Sequence, residues 1–375
     1  MNDYLYHPTS DELRLIRTVP GLTSDGRPFS WHVDQQVAQG KLRLECVRAD
    51  VLGLSRPLEV FRAKRSTNLV KPWTRTDDGD AYCPAHWADL AIGSGACGLR
   101  CRACFLIMTH RVKADPSRHV LYDNVLDYQA AVKRWLAKPD RRCLGLGIDC
   151  SDSLLYEGVT GHARRLIPLF ADARSNPCGV KLIFLTKSTN THYLCDLPTG
   201  NVAVTFSLNN ERAADLWEGK FSDGTRVTPA IAERLAAALA AQKMGFEVRW
   251  RVDPVFAIDG FEQDYESFFR EAAAAGHAPS RITLGTYRET QPALRTFVRN
   301  WGLPAVEVVE SGLVKERDHY HLKAERRVEI YAALNRAITS AWRGSGHQPV
   351  VSLCKEPRSV REQVGLLHDR CNCAP

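Results

Sequence analysis

From about Leu90 to Tyr287, short apolar runs alternate with helix-like stretches, and this alternation predicts repeated β–α units around a parallel sheet. Strands are expected over Leu144–Ile148, Val180–Leu185, Val202–Ser207, Glu247–Val252 and Ile282–Gly285. Several end beside polar residues, and parallel α/β folds place their ligands at the carboxyl ends of strands. The clearest helix lies between the third and fourth runs. Thr228 suits its N-cap, Pro229 suits the first helical position, and Ile231, Leu235 and Leu239 recur every four residues. Gly245 can close it in a left-handed conformation. A second helical stretch runs from about Ala324 to Trp342 and meets a Gly-Ser-Gly break at Gly344 to Gly346, followed by a short tail with three cysteines. The first 65 or so residues mix short apolar patches with Pro and Gly and give no assignable pattern. There is no internal repeat and no low-complexity tract.

Composition sets the setting for these elements. The 375 residues, 44% hydrophobic and 25% charged, suit a soluble globular protein with one large α/β domain and appendages, or with two domains. No apolar run approaches the roughly 18–20 residues that span a bilayer. Met1-Asn2-Asp3-Tyr4 lacks a basic stretch followed by an apolar one, so the expected location is a reducing cytoplasm with no membrane partner. The formal charge of +7 suits a polyanionic partner or simply a solvated basic surface. Its basic clusters lie at Arg62 to Arg65, Arg100 to Arg102, Arg141-Arg142 and Lys323 to Arg327, and none is long enough for a nucleic-acid tail.

In a reduced compartment the 12 cysteines carry information, because clustered thiols there bind metal or do chemistry more often than they form disulfides. Cys46, Cys143, Cys178 and Cys195 stand alone and read as small buried hydrophobes. The centre of interest is Cys97, Cys101 and Cys104, spaced C-x3-C-x2-C. Three thiols this close point to a shared metal ion or cluster. Zinc would want a fourth ligand such as His86 or His110. An iron–sulfur cube accepts three thiolates and leaves one iron open.

This motif, after a first strand and followed by Phe105, resembles the signature of the radical S-adenosylmethionine (SAM) superfamily. The resemblance implies a [4Fe–4S] cluster on Cys97, Cys101 and Cys104, SAM bound at the open iron, and hydrogen abstraction by a 5′-deoxyadenosyl radical. It also implies a partial (β/α)6 TIM-type barrel, in agreement with the strand pattern. The expected division is an N-terminal extension over 1–88, the barrel over 89–290 and a C-terminal region with the Cys-rich tail over 291–375. A reducing electron donor such as flavodoxin or ferredoxin would be a partner.

Further markers resemble the spore photoproduct lyase family and its relatives over roughly Lys71 to Ile338. They are Lys71-Pro72, Tyr82-Cys83 and Ile92-Gly-Ser-Gly95 before the cluster, then Gly145-Leu-Gly-Ile-Asp-Cys-Ser-Asp-Ser-Leu154, Leu185-Thr186-Lys187 and Phe206-Ser207-Leu208-Asn209. By this resemblance Lys187 pairs with the SAM carboxylate and Ser207 touches SAM. Ser151 and Asp152 also lie at an expected strand end, and a zwitterionic methionine needs a cation and oxygen acceptors. Asp152 alternatively caps the following helix.

The chain departs from the lyase in two places. Ala103 and Phe105 stand where the lyase has tyrosines of a radical relay, so that relay cannot run from these positions. The lyase returns a hydrogen atom from a cysteine in Cys-x-Ser-Asp, whereas this chain reads Asp149-Cys150-Ser151-Asp152. Cys150 is either the catalytic donor or a buried thiol, since one residue along a strand reverses the side chain.

The tail offers a possible second metal site. A Cys-x-Cys pair is poor core material and exposed thiols are liabilities unless liganded, so Cys354, Cys371 and Cys373 with Cys83 could hold a second iron–sulfur cluster or zinc. The functional expectation is hydrogen abstraction from a nucleic-acid or nucleotide substrate, with Arg100 and Arg102 as phosphate contacts and the target base extruded into the barrel. The alternative is biosynthetic chemistry on a free nucleoside, sugar or amino acid derivative. A third reading is a non-catalytic metal protein.

Overall fold

The computed structural model describes residues 35, 37–72, 87–94, 97–99, 101, 104, 119–139, 143–220, 224–289, 313–316, 319–368 and 370–375. Its elements run in the order β1 (Arg43–Val47), α1 (Ala49–Leu52), β2 (Leu58–Ala63), β3 (Val70–Pro72), β4 (Ala88–Leu90), β5 (Gly93–Ser94) and β6 (His119–Tyr122). Next come α2 (Val125–Leu136), β7 (Cys143–Leu146), α3 (Glu157–Thr160), α4 (His162–Ala171), β8 (Lys181–Thr186), β9 (Val202–Ser207) and α5 (Glu211–Trp217). The chain continues with α6 (Ile231–Lys243), β10 (Glu247–Val255), α7 (Phe261–Ala274), β11 (Arg281–Thr286), β12 (Arg288–Glu289), β13 (Val314–Glu316) and β14 (His319–His321). It closes with α8 (Ala324–Ala341), β15 (Val350–Leu353) and α9 (Arg358–Val364).

The five strands expected from the apolar runs are β7 to β11. They pair in parallel, side by side, in a sheet of order β15-β11-β10-β9-β8-β7-β4-β3, in which the edge strand β3 is antiparallel to β4. β4 is a sixth parallel strand and β15, from beyond residue 290, is a seventh. This is a partial TIM-type barrel with extensions at both ends.

Alternation along the central strands separates two environments. Val248, Trp250 and Val252 of β10, with Ile282 and Leu284 of β11, join the core between sheet and helices. Trp250 and Trp342 meet edge to face at 5.7 Å, and the Trp342 indole N–H is satisfied by the His277 carbonyl at 2.8 Å. Each large side chain buried there contributes roughly 1.5–3 kcal/mol. Arg251, Asp253, Thr283 and Cys354 line the opposite, interior side. The barrel is thus oily outside and polar within.

The helix expected after Thr228 begins two residues later than its sequence suggests. Ala230 is the N-cap, its N–H is taken by Glu233 at 2.7 Å, and helix α6 starts at Ile231. The Thr228 hydroxyl is drawn away to donate to Glu218 at 2.6 Å. Leu235 and Leu239 are only half-buried, and the buried face runs through Ile231, Arg234, Ala237, Ala238 and Ala241. Gly245 does close the helix at φ +92°.

The four solitary cysteines divide. Cys143 is buried in β7, but Cys46, Cys178 and Cys195 are exposed, against expectation. They lie on the outward face of β1, in a turn, and at the end of a 3-10 turn, none of which faces the core. The basic clusters are not all surface either. Arg62 pairs with Glu45 and Asp123, and Arg327 is buried between Glu316 and Glu356. Among the described residues no helix is long and apolar enough to cross a membrane.

Candidate active site

Cys97, Cys101 and Cys104 border one cavity of about 280 Å3, which opens at the carboxyl ends of β8 to β11. Cys97 and Cys101 are buried and pack with Leu99, Leu58, Leu155 and Tyr156, so the extension carrying β2 supports the loop from outside. The Tyr156 hydroxyl accepts the Gly98 N–H at 3.0 Å. Any Cβ at Gly98 would overlap both Leu58 and that hydroxyl, which explains glycine between the first two cysteines. Burial pushes the Cys97 thiol well up, and its two sister cysteines add to the rise. Burial also pushes Cys101 up to about 12, against the opposing charge of Lys187. Iron binding must therefore displace protons from these thiols.

Among the described residues no three His, Cys, Asp or Glu side chains converge as they would around a single metal ion. A [4Fe–4S] cube would take three thiolates, one for each of three irons, and three cysteines border this one cavity. The donor set therefore fits the cluster. His86, His110, Cys83, Arg100 and Arg102 lie outside the described residues.

The stretch after β7 brings its polar residues to the same cavity by a turn rather than by strand alternation. β7 ends at Leu146, Gly147 adopts φ +68°, and its carbonyl accepts the N–H groups of Cys150 (3.2 Å) and Ser151 (2.8 Å). Ser151 and Asp152 border the cavity, whereas Cys150 is absent from its lining. The Cys150 thiol lies toward Gly93 and Asp89, where burial pushes it up. Ser151 Oγ meets His119 Nε2 at 3.1 Å, and the His119 ring stacks on Tyr156.

Asp152 serves the fold in the way its capping alternative anticipated. One oxygen accepts the N–H groups of Leu154 and Leu155, each at 3.0 Å, and the Thr186 hydroxyl at 2.7 Å. The other accepts the Lys187 N–H at 2.7 Å. This carboxylate staples the turn after β7 to the end of β8.

Lys187 projects from the end of β8 and forms an ion pair with Glu218. Glu218 is also gripped by the buried Arg234, whose Nη1 lies 3.0 Å away, and by the Thr228 hydroxyl. Arg234 further donates to the Ser207 carbonyl at 3.2 Å, which ties the end of β9 to the same network. Burial opposes ionisation of Glu218, but Lys187 and Arg234 override it and hold its carboxyl well below the usual range. Burial pulls Lys187 down, the Glu218 charge outweighs it, and the ammonium is kept charged. No pattern marked Glu218 or Arg234, since an isolated charge in a helix reads as a solvated face.

Cys354, Cys371 and Cys373 border the same cavity. All three are buried, and Cys371 and Cys373 pack against Ile148, Trp87 and Leu185. The expectation that the tail is poor core material does not hold, because the barrel supplies partners for its backbone. Arg249 donates to the carbonyls of Asn372 (2.8 Å) and Ala374 (2.7 Å), and Arg281 donates to those of Cys371 (3.0 Å) and Ala374 (3.1 Å). Asn372 bonds Thr283 and the Trp250 carbonyl inside the barrel. The segment 370–375 thereby closes the end of the barrel where β10 and β11 begin.

Arg251 stands among these sulfurs. Its Nη2 donates to Cys354 Sγ at 2.8 Å and its Nε lies 3.4 Å from Asp253. Arg288 Nη2 holds both Asp253 oxygens at 2.9 and 2.8 Å. A hydrogen bond from Cys373 pulls the Cys371 thiol down to about 6, against burial and with help from the charges of Arg251 and Arg361.

Comparison with known proteins places this arrangement. Spore photoproduct lyase of Bacillus subtilis is 26% identical over 259 residues, 68% of this chain and 71% of the relative. That of Geobacillus sp. is 25% identical over 256 residues, 67% of this chain and 71% of the relative. Among solved structures, a substituted spore photoproduct lyase with bound AdoMet and dinucleoside spore photoproduct shares the fold at a TM-score of 0.59 and 19% identity, over 78% of this chain and 80% of that one. Spore photoproduct lyase complexed with dinucleoside spore photoproduct gives a TM-score of 0.58 at 19% identity, with the same coverage. The sequence model of the spore photoproduct lyase family matches residues 49–326, well over half of the chain. The chain belongs to the spore photoproduct lyase family, radical SAM enzymes that work with a [4Fe–4S] cluster and S-adenosylmethionine.

Proposed function

We propose that this enzyme abstracts hydrogen from a nucleotide substrate of the spore-photoproduct type, with Cys97, Cys101 and Cys104 as cluster ligands. When bound, the cluster supplies the electron that divides SAM into methionine and a 5′-deoxyadenosyl radical. Lys187 would pair with the SAM carboxylate, its positive charge preserved by Glu218. Ser207, at the neighbouring strand end, and Ser151, oriented by His119, would supply oxygens to the same end of SAM.

The observation that carries the nucleotide reading is the aromatic wall of the cavity. Trp217 stacks on Phe256 at 4.8 Å, and Tyr287 lies 5.9 Å from Phe256. All three line the cavity with the cluster cysteines. Flat, partly apolar faces beside cationic Arg251 and Arg288 suit a base and its phosphate. A free nucleoside or sugar remains a second reading, favoured by the absence of Cys150 from the cavity lining.

Anaerobic reconstitution followed by turnover tests both readings. Conversion of dinucleoside spore photoproduct, with 5′-deoxyadenosine formed, supports the first. SAM cleavage that no lesion stimulates, but a free nucleoside does, supports the second. A reduced flavodoxin or ferredoxin would serve as electron donor.

A further inference from the structure

Hydrogen abstraction leaves a carbon radical that must gain a hydrogen atom before product can leave. A thiol is the side chain suited to this, since its S–H bond is weaker than the C–H bond formed. The donor must face the cavity and must not be occupied as a cluster ligand. Cys150 fails the first condition and Cys97, Cys101 and Cys104 fail the second. The remaining thiols among the described cavity residues are Cys354, Cys371 and Cys373.

Cys354 is held on both sides, accepting from Arg251 and hydrogen-bonded to Asp253. Cys371 and Cys373 instead hydrogen-bond each other, within a segment fixed by Arg249, Arg281 and Asn372. Resting on the radical reading above, we propose that the Cys371–Cys373 pair is the hydrogen-atom donor of this active site, delivered by the 370–375 segment in place of a cysteine on the turn after β7. The product carbon gains the hydrogen, the S–H bond breaks, and a thiyl radical remains. The second sulfur shares the unpaired electron. One electron from a flavodoxin-class donor and one proton from water then restore the thiol, so each turnover consumes SAM. Arg251 argues for thiol chemistry over a second metal site, because its guanidinium already engages the Cys354 sulfur that such a site would need.

The test needs no substrate. Holoenzyme with SAM and dithionite in deuterated water carries S–D groups, and the 5′-deoxyadenosyl radical quenched by them becomes singly deuterated 5′-deoxyadenosine. The expected result is labelled 5′-deoxyadenosine from the wild type and loss of the label in Cys371→Ala/Cys373→Ala. Cys178→Ala, an exposed thiol outside the cavity, keeps it. In parallel, diamide treatment of the metal-free chain should give a mapped Cys371–Cys373 disulfide, a readout independent of turnover. Label that persists in the double variant, or never forms in the wild type despite SAM cleavage, overturns the proposal alone. A fall in iron or zinc per chain in the double variant makes the pair metal ligands and also overturns it. If a fully iron-loaded wild type cleaves no SAM, the radical reading itself fails and the proposal falls with it.

Discussion

Replacing Glu218 with Gln removes one buried anion from between two cations. Arg234 is fully buried, the Lys187 side chain is 22% exposed and that of Glu218 is 8% exposed. Breaking a buried pair by removing one partner costs about 3–5 kcal/mol, mostly from the charge left uncompensated. Gln keeps the volume and one carbonyl oxygen, which can still accept from Arg234, and Lys187 can reach water, so the lower end applies, about 3 kcal/mol. At roughly 2 °C per kcal/mol for a chain of this size, the thermal midpoint should fall by about 6 °C. The pH dependence gives a second handle. The folded-state carboxyl is held well below its ordinary value, so its stabilisation is present above the unfolded pKa of about 4.3 and fades as pH falls toward the depressed folded value. The gap between wild type and Glu218→Gln, measured as urea midpoints, should therefore be full at neutral pH and narrow in acid. A midpoint shift under about 1 °C at neutral pH, or a gap that does not narrow, would refute the view that this carboxylate anchors the network.

Other outcomes follow from the same geometry. Gly98→Ala should lower iron per chain after reconstitution, because the added methyl meets Leu58 and Tyr156; full iron loading would contradict the close fit of the cluster loop. His162 is buried, its ring nitrogens lack partners among the described residues, and burial pulls its pKa down to about 4. Its unfolded state takes up a proton first as pH falls below about 6.5, so its share of stability is lost from there toward 4, and His162→Phe should flatten this limb of the urea-midpoint curve by about 3 kcal/mol. Lys187→Ala should weaken SAM binding, read by equilibrium dialysis, with iron content kept; unchanged affinity would remove Lys187 from the SAM site. Arg249→Leu should loosen the 370–375 segment and speed thiol labelling at Cys371 and Cys373, measured by mass spectrometry, since it deletes two carbonyl contacts.

Much of this protein is written locally in its chain. The C-x3-C-x2-C spacing is itself the donor set, because three thiols within eight residues reach one cluster whatever surrounds them. The strands β7 to β11 announce themselves because each is buried on its helix-facing side, leaving a short apolar run ended by polar residues. Lys187 and Ser207 were legible through the family resemblance, and both lie at the ends of such runs. What only the tertiary structure decided concerns groups whose partners lie far along the chain. Strand alternation allowed Cys150 to point away from the site, but it is the turn at Gly147 that sets this thiol aside from the cavity. Arg234 displaced the apolar repeat of its helix because Glu218, on another element, makes its burial possible. The tail cysteines became interior because Arg249 of β10 and Arg281 of β11 hold the carbonyls of Cys371, Asn372 and Ala374 around them. Local pattern fixes what a segment prefers; whether a charge or a thiol is buried depends on a partner that only folding brings near.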